Sequence, residues 1–291
     1  MERQVRLLLA WLDENEAIIS LFGRIPAPGE DTTAQAQRAA QARQNRGARP
    51  PYALRTPTIG AFPPALQELS AQFCIRPDVV AAMQGLDWTL GMADLREVLG
   101  FQKMIVQEQA VERANAVDLE NPQSLFSFCL PEANSLTTLT GSIDQDQKGI
   151  TFSSLNPNLR VGNFLAADVE IAAVPGAPCR KDKVIGFNIN FGGRFVQIAE
   201  YNGRWFVRDG YHRAYGLLCR GVYNIPCIFV RARSFQELGA ATPGFLPYET
   251  LFGERPPLLI DFLDDAVSAS TNQKAIRKVV RITAEEFVVE V

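Results

Sequence analysis

One stretch, Tyr201 to Val230, leaves this chain few ways to fold. Asn202-Gly203 accepts positive φ at both positions and so closes a two-residue hairpin. Before it, Arg194 to Tyr201 alternates in a strand-like way. After it, Arg204-Trp205-Phe206-Val207-Arg208 is aromatic and β-branched, as a returning strand is. That strand stops at Asp209-Gly210. A helix follows, with Ala214, Leu217 and Leu218 at i, i+3 and i+4 as its inward stripe, and Gly221 placed to end it. The apolar run Cys227-Ile228-Phe229-Val230 then reads as a buried strand. The predicted order is strand, turn, strand, corner, helix, strand.

The chemistry concentrates at the corner. Asp209, Gly210, Tyr211, His212 and Arg213 occupy the strand end and the first helical turn, where unpaired N–H groups and the positive helix end favour anions. Gly210 lets an anion approach the backbone closely. Arg213 can fork onto phosphate oxygens, and His212, the single histidine of the chain, can donate a further bond. Between Tyr201 and Arg233 there are six arginines and one acid, although the whole chain carries a net charge of −3. A basic segment in an acidic protein points to an anionic ligand. The plainer alternative is a tight turn beside a solvated arginine.

The hairpin, the D-G-Y-H-R corner (Asp209 to Arg213), the helix, Gly221 and the Ile225-Pro226 strand resemble the core of the ParB/sulfiredoxin-like superfamily, over roughly residues 154–233. The resemblance implies that Gly210, Tyr211, His212 and Arg213 bind a nucleotide such as ATP, ADP or CTP, with or without Mg²⁺. It leaves open a phosphotransferase or nucleotide hydrolase, with Asp209 or Glu200 as base or metal ligand. The alternative is a regulatory module that binds nucleotide without turnover. Sulfiredoxins carry a nucleophilic cysteine where Tyr211 stands here, so the chain is not expected to reduce a sulfinic acid. Partition proteins continue into a helix-turn-helix, and none is legible after Arg233. With the acidic total, this disfavours a nucleic-acid partner.

Composition sets the remaining bounds. The 291 residues, 47% apolar and 21% charged, suit a soluble globular protein of one large or two modest domains, and the order of its expected elements makes the class α+β. No apolar run reaches membrane-spanning length. Five cysteines (74, 129, 179, 219 and 227) without a Cys-x-x-Cys fit free thiols in a cytoplasmic protein, and with one histidine no structural zinc site is expected.

The expected organisation is a helical N-terminal lobe over 1–120, a mixed-sheet core over 121–233, and a C-terminal wrap over 234–291. The lobe offers a surface for a protein partner. Its helices are expected at Met1–Phe22, Phe62–Phe73, from Pro77, at Met92–Leu99 and at Phe101–Val117. Residues 26–51 are a linker, mobile or helical between Thr32 and Arg46. The arginines at 38, 43, 46, 49 and 55 are either solvated or set against an acidic partner. Strands are expected at Phe126–Leu130, Ser135–Thr140, Gly149–Ser153, Asn163–Val174, Val184–Ile189 (feeding the hairpin), Lys278–Ile282 and Phe287–Val291. Short helices are expected at Ser234–Gly239 and Leu259–Val267.

Overall fold

The computed structural model describes residues 2–54, 59–131, 140–143, 149–154, 159–171, 180–191, 195–241, 244–275, 278–283, 285 and 288. The fold is α+β. The chain divides into two compact units: Met1–Ala133 with Arg194–Lys274, and Asn134–Gly193 with Ala275–Val291. The span resembling the superfamily core is thus shared between both units. Among the described residues, no helix is long and apolar enough to cross a membrane.

The first unit opens on a strand, β1 (Glu2–Leu7), then a 3-10 turn (Leu9–Trp11) and α1 (Glu14–Phe22). The expected single helix over 1–22 is therefore corrected. Val5 and Leu7 to Leu12 are all buried, so this apolar run needs cover on every side, which a central strand and a core turn provide. Asp13 breaks the run by capping α1, accepting the Glu16 N–H at 2.7 Å. α2 (Thr33–Gly47) settles the linker as helix, and it buries Ala39 and Ala42. α3 (Pro64–Cys74) and α4 (Pro77–Ala82) follow the expected proline starts.

The lobe is not all helical. Met92–Leu99 was expected to be a helix, but β2 (Asp87–Asp94) takes its first three residues and a turn follows. The expected helix over 101–117 is split into β3 (Met104–Val106) and α5 (Gln107–Asn115). Both strands exist because partners distant in sequence pair with them: β3 with β1, and β2 with β10 below. The strand expected at Phe126–Leu130 is the end of α6 (Pro122–Cys129). Its start signal is Asn121, which accepts the Gln123 N–H at 3.0 Å, followed by Pro122.

The second unit holds β4 (Thr140–Ile143), β5 (Gly149–Ser154), β6 (Leu159–Ile171) and β7 (Arg180–Phe191). β7 pairs antiparallel with β6 and does not feed the hairpin sheet, which corrects the expectation for Val184–Ile189. Residues 135–139 and 172–174 of the expected strands, Cys179, and 287–291 apart from Val288 lie outside the described residues.

The hairpin is β8 (Gln197–Tyr201) and β9 (Arg204–Asp209), joined at Asn202 (φ 51°) and Gly203 (φ 73°). α7 (Tyr211–Cys219) carries the chain across to β10 (Asn224–Arg231), which lies parallel to β8. The sheet order is β2-β10-β8-β9. Its β9 edge is capped by the Leu99 backbone, which exchanges hydrogen bonds with Trp205 and Val207 at 2.7 and 2.9 Å. Ala214, Leu217 and Leu218 are buried, as the stripe predicts.

The first unit closes with α8 (Phe235–Leu238), capped by Ser234 and ended at Gly239, then α9 (Tyr248–Leu251) and a 3-10 turn (Leu259–Leu263) where a helix was expected. β11 (Ala269–Lys274) pairs with β1 to give the sheet β11-β1-β3. In the second unit, β12 (Lys278–Thr283) pairs with β5, so Lys278–Ile282 is a strand as expected.

Candidate anion site at the start of α7

β9 ends at Asp209, which lies opposite Gln197 in the sheet. Asp209 Oδ1 accepts the Gly210 N–H at 2.7 Å and so folds the chain out of the strand. Gly210 is the N-cap of α7 at φ 84°, with no side chain capping the first turn. A Cβ at this position would lie 2.8 Å from Val196 Cα. The glycine is therefore required by its left-handed backbone and by the strand beneath it, before any ligand is considered.

Tyr211 turns inward. It is 2% exposed, its hydroxyl accepts the Phe101 N–H at 2.7 Å, and its ring meets that of Phe101 at 5.5 Å. Burial raises its pKa steeply. This residue, expected among the ligand contacts, is a core residue that fixes the helix start.

His212 also faces the protein. Its Nε2 accepts the Val106 N–H at 3.2 Å, so the ring is neutral, with its proton on Nδ1. Burial, reinforced by Arg113 and Arg213, lowers its pKa to about 4. The expected phosphate donor is reduced to Nδ1–H. Folded His212 binds its proton more weakly than unfolded His212, so stability is intact above about pH 6.5 and is lost as pH falls toward 4. From pH 7 to pH 5 the loss attributable to this group is about 2 kcal/mol. Denaturant titrations of wild type and His212→Gln at both pH values should differ by roughly this amount in their pH dependence. Identical pH slopes would show that His212 titrates freely.

Arg213 is half-buried. Its pKa is lowered by burial and by Arg113, against opposing effects from Cys129 and Asp209. The Cys129 thiol is pushed up to about 12 by burial, with Arg213 acting in the other direction. It is therefore an inert buried thiol. Arg113, in the last turn of α5, was not singled out in the sequence. Its own segment reads as an ordinary helix end, and only the packing of α5 against α7 brings its charge to bear on His212 and Arg213.

Glu200 is elsewhere. Its Oε1 accepts the Gly203 N–H at 3.0 Å and braces the hairpin turn. It sits at the end of β8 away from the corner, three residues or about 10 Å along the strand from Gln197, which faces Asp209. The site therefore brings together Asp209, Gly210, His212, Arg213 and Arg113, and leaves out Glu200 and the Tyr211 ring. Among the described residues, no group of three or more His, Cys, Asp or Glu side chains is arranged to hold a metal ion. No protein-family model, curated protein or solved structure matches this chain.

Proposed function

We propose that this protein binds the phosphates of a nucleotide, or of another phosphorylated small molecule, at the corner from Gly210 to Arg213. In this reading it is a nucleotide-responsive binding module of ParB/sulfiredoxin-like type. The observation that carries the reading is the meeting, among the described residues, of Arg113, Arg213 and Asp209 at a helix start that has no side-chain cap. The neutral His212 ring adds the Nδ1–H donor there and no charge of its own. Binding fits better than turnover. Glu200 is committed to the hairpin turn, and Asp209 Oδ1 holds the Gly210 N–H. Any Mg²⁺ would arrive on the phosphates.

The test is a titration of the full chain with ATP, ADP and CTP, with and without Mg²⁺, for wild type, Arg213→Ala and Arg113→Ala. A charged hydrogen bond is worth about 1.5–3 kcal/mol, so losing Arg213 should weaken binding roughly 10- to 150-fold. The exposed Arg113 acts through solvent, and its loss should cost roughly 2- to 5-fold. Circular dichroism confirms folding. Equal affinities across three folded proteins would make the corner a plain turn. Release of phosphate that stops in Asp209→Asn would replace the binding reading with an enzymatic one.

A further inference from the structure

The arginines of α2 divide into two kinds. Arg49, just beyond the helix end, is fully engaged. It donates to Asp261 at 2.7 Å and pairs with Asp264. Arg43 and Arg46 lie one turn apart on α2, on the same side of the helix. Among the described residues neither side chain has a hydrogen bond or an ion pair, and Arg43 Nη1 is buried without an acceptor. Arg255 joins them from the C-terminal loop. Its Nε donates to the Arg49 carbonyl at 2.7 Å, and its Nη1 pairs with Glu254 at 2.8 Å.

Burial lowers the Arg46 pKa, and Arg43 and then Arg255 lower it further. Arg46, partly withdrawn from water beside two other guanidiniums, and Arg43, with a buried donor unpaired among the described residues, make an unfavourable arrangement. Buried donors are ordinarily satisfied, and like charges drawn out of water are ordinarily countered. Arg46 and Arg255 also share the lining of a cleft of about 320 Å³ with Thr250, Glu249 and Glu254. That volume is at the lower end of the range for small-molecule sites.

We propose that this cleft is a second anion site, which receives the phosphate or carboxylate group of a small molecule on Arg46, in the field of Arg43 and Arg255. The guanidinium fork suits either group. Glu249 and Glu254 fix the rest of the ligand. They repel a second negative charge and accept hydrogen bonds from a cationic or donor-bearing end. The ligand class is therefore a small zwitterion, not a polyanion. The site is independent of the α7 corner.

Calorimetric titration of the full chain with O-phosphoethanolamine and with 4-aminobutyrate separates the two anion chemistries. One of them should bind wild type, and Arg46→Ala should weaken that binding roughly 10- to 150-fold. Arg231→Ala, which removes an exposed cation outside both sites, should bind as wild type does. Because Arg46 has no hydrogen bond or ion pair to lose among the described residues, Arg46→Ala should melt at or above the wild-type temperature without ligand. The proposal is overturned if neither probe binds wild type or if Arg46→Ala binds equally well.

Discussion

Gly210→Val should be among the most damaging substitutions in the α7 region, with a loss of about 2–6 kcal/mol from two separate causes. The backbone at Gly210 is left-handed, φ 84°, which strains a β-branched residue by about 1–3 kcal/mol. The new Cβ would also lie 2.8 Å from Val196 Cα and 3.0 Å from Val196 Cγ2. The nearer atom is backbone, so rotating the Val196 side chain cannot relieve the contact, and overpacking of this kind adds about 1–3 kcal/mol. Val196 is tied on both sides, to the Cys129 carbonyl and to the Ile228 N–H, each at 2.9 Å. Since whole domains are stable by only about 5–15 kcal/mol, much of the variant should be unfolded or insoluble. Denaturant unfolding checks this where the protein can be purified. Gly210→Asn separates the causes, because asparagine tolerates the left-handed backbone but still carries a Cβ. It should fall between wild type and valine. A valine variant within about 0.5 kcal/mol of wild type, a shift typical of a surface substitution, would refute the packing at this corner.

Gly216→Val should cost about 3–5 kcal/mol, and here the sign runs against helix propensity. In an exposed helix, replacing glycine by alanine gains about 1 kcal/mol. In α7 even that first carbon would stand 2.3 Å from the Ala110 carbonyl oxygen and 2.8 Å from Ala114 Cβ, both on α5. Real contacts do not come so close, so the two helices must separate. Chemical denaturation should place Gly216→Ala below wild type and Gly216→Val lower still. Ala110 and Ala114 flank Arg113 on α5, so the separation also draws that guanidinium away from the corner. Nucleotide affinity in any folded Gly216→Ala protein should therefore fall along with stability. A gain in stability for alanine would mean that the helices are not in backbone contact.

Both glycines lie in the part of the chain that was most legible, yet neither role could be read there in full. Gly210 invites a reading as ligand access, whereas the structure uses its missing side chain to seat the corner on Val196. Gly216 reads as a mild flaw in a helix, because nothing near it names Ala110. The same limit explains Tyr211 and His212. Their neighbours in sequence suggest a phosphate loop, but their hydrogen-bond partners are Phe101 and Val106, more than 100 residues away. Glu200 was grouped with Asp209 by proximity in sequence, and the length of β8 separates them.

Local signals determined the elements whose energetics are local. Asn202-Gly203 closes a hairpin by backbone preference, the spacing of Ala214, Leu217 and Leu218 makes a helix face, and Ser234 and Gly239 bracket a short helix with cap and stop. The concentration of arginine near the corner was likewise visible in composition. Tertiary structure decided the rest. Val5 to Leu12, Asp87 to Asp94 and Met104 to Val106 contain apolar runs that suit either a buried helix or a buried strand. Strand formation there depends on β11, β10 and β1 supplying hydrogen bonds from remote parts of the chain. Charge obeys the same rule. Whether an arginine is neutralised like Arg49, set beside another cation like Arg213, or left without an ion pair among the described residues like Arg46 depends on which distant groups the packing delivers, and Coulomb energy depends on that distance and on the water it displaces.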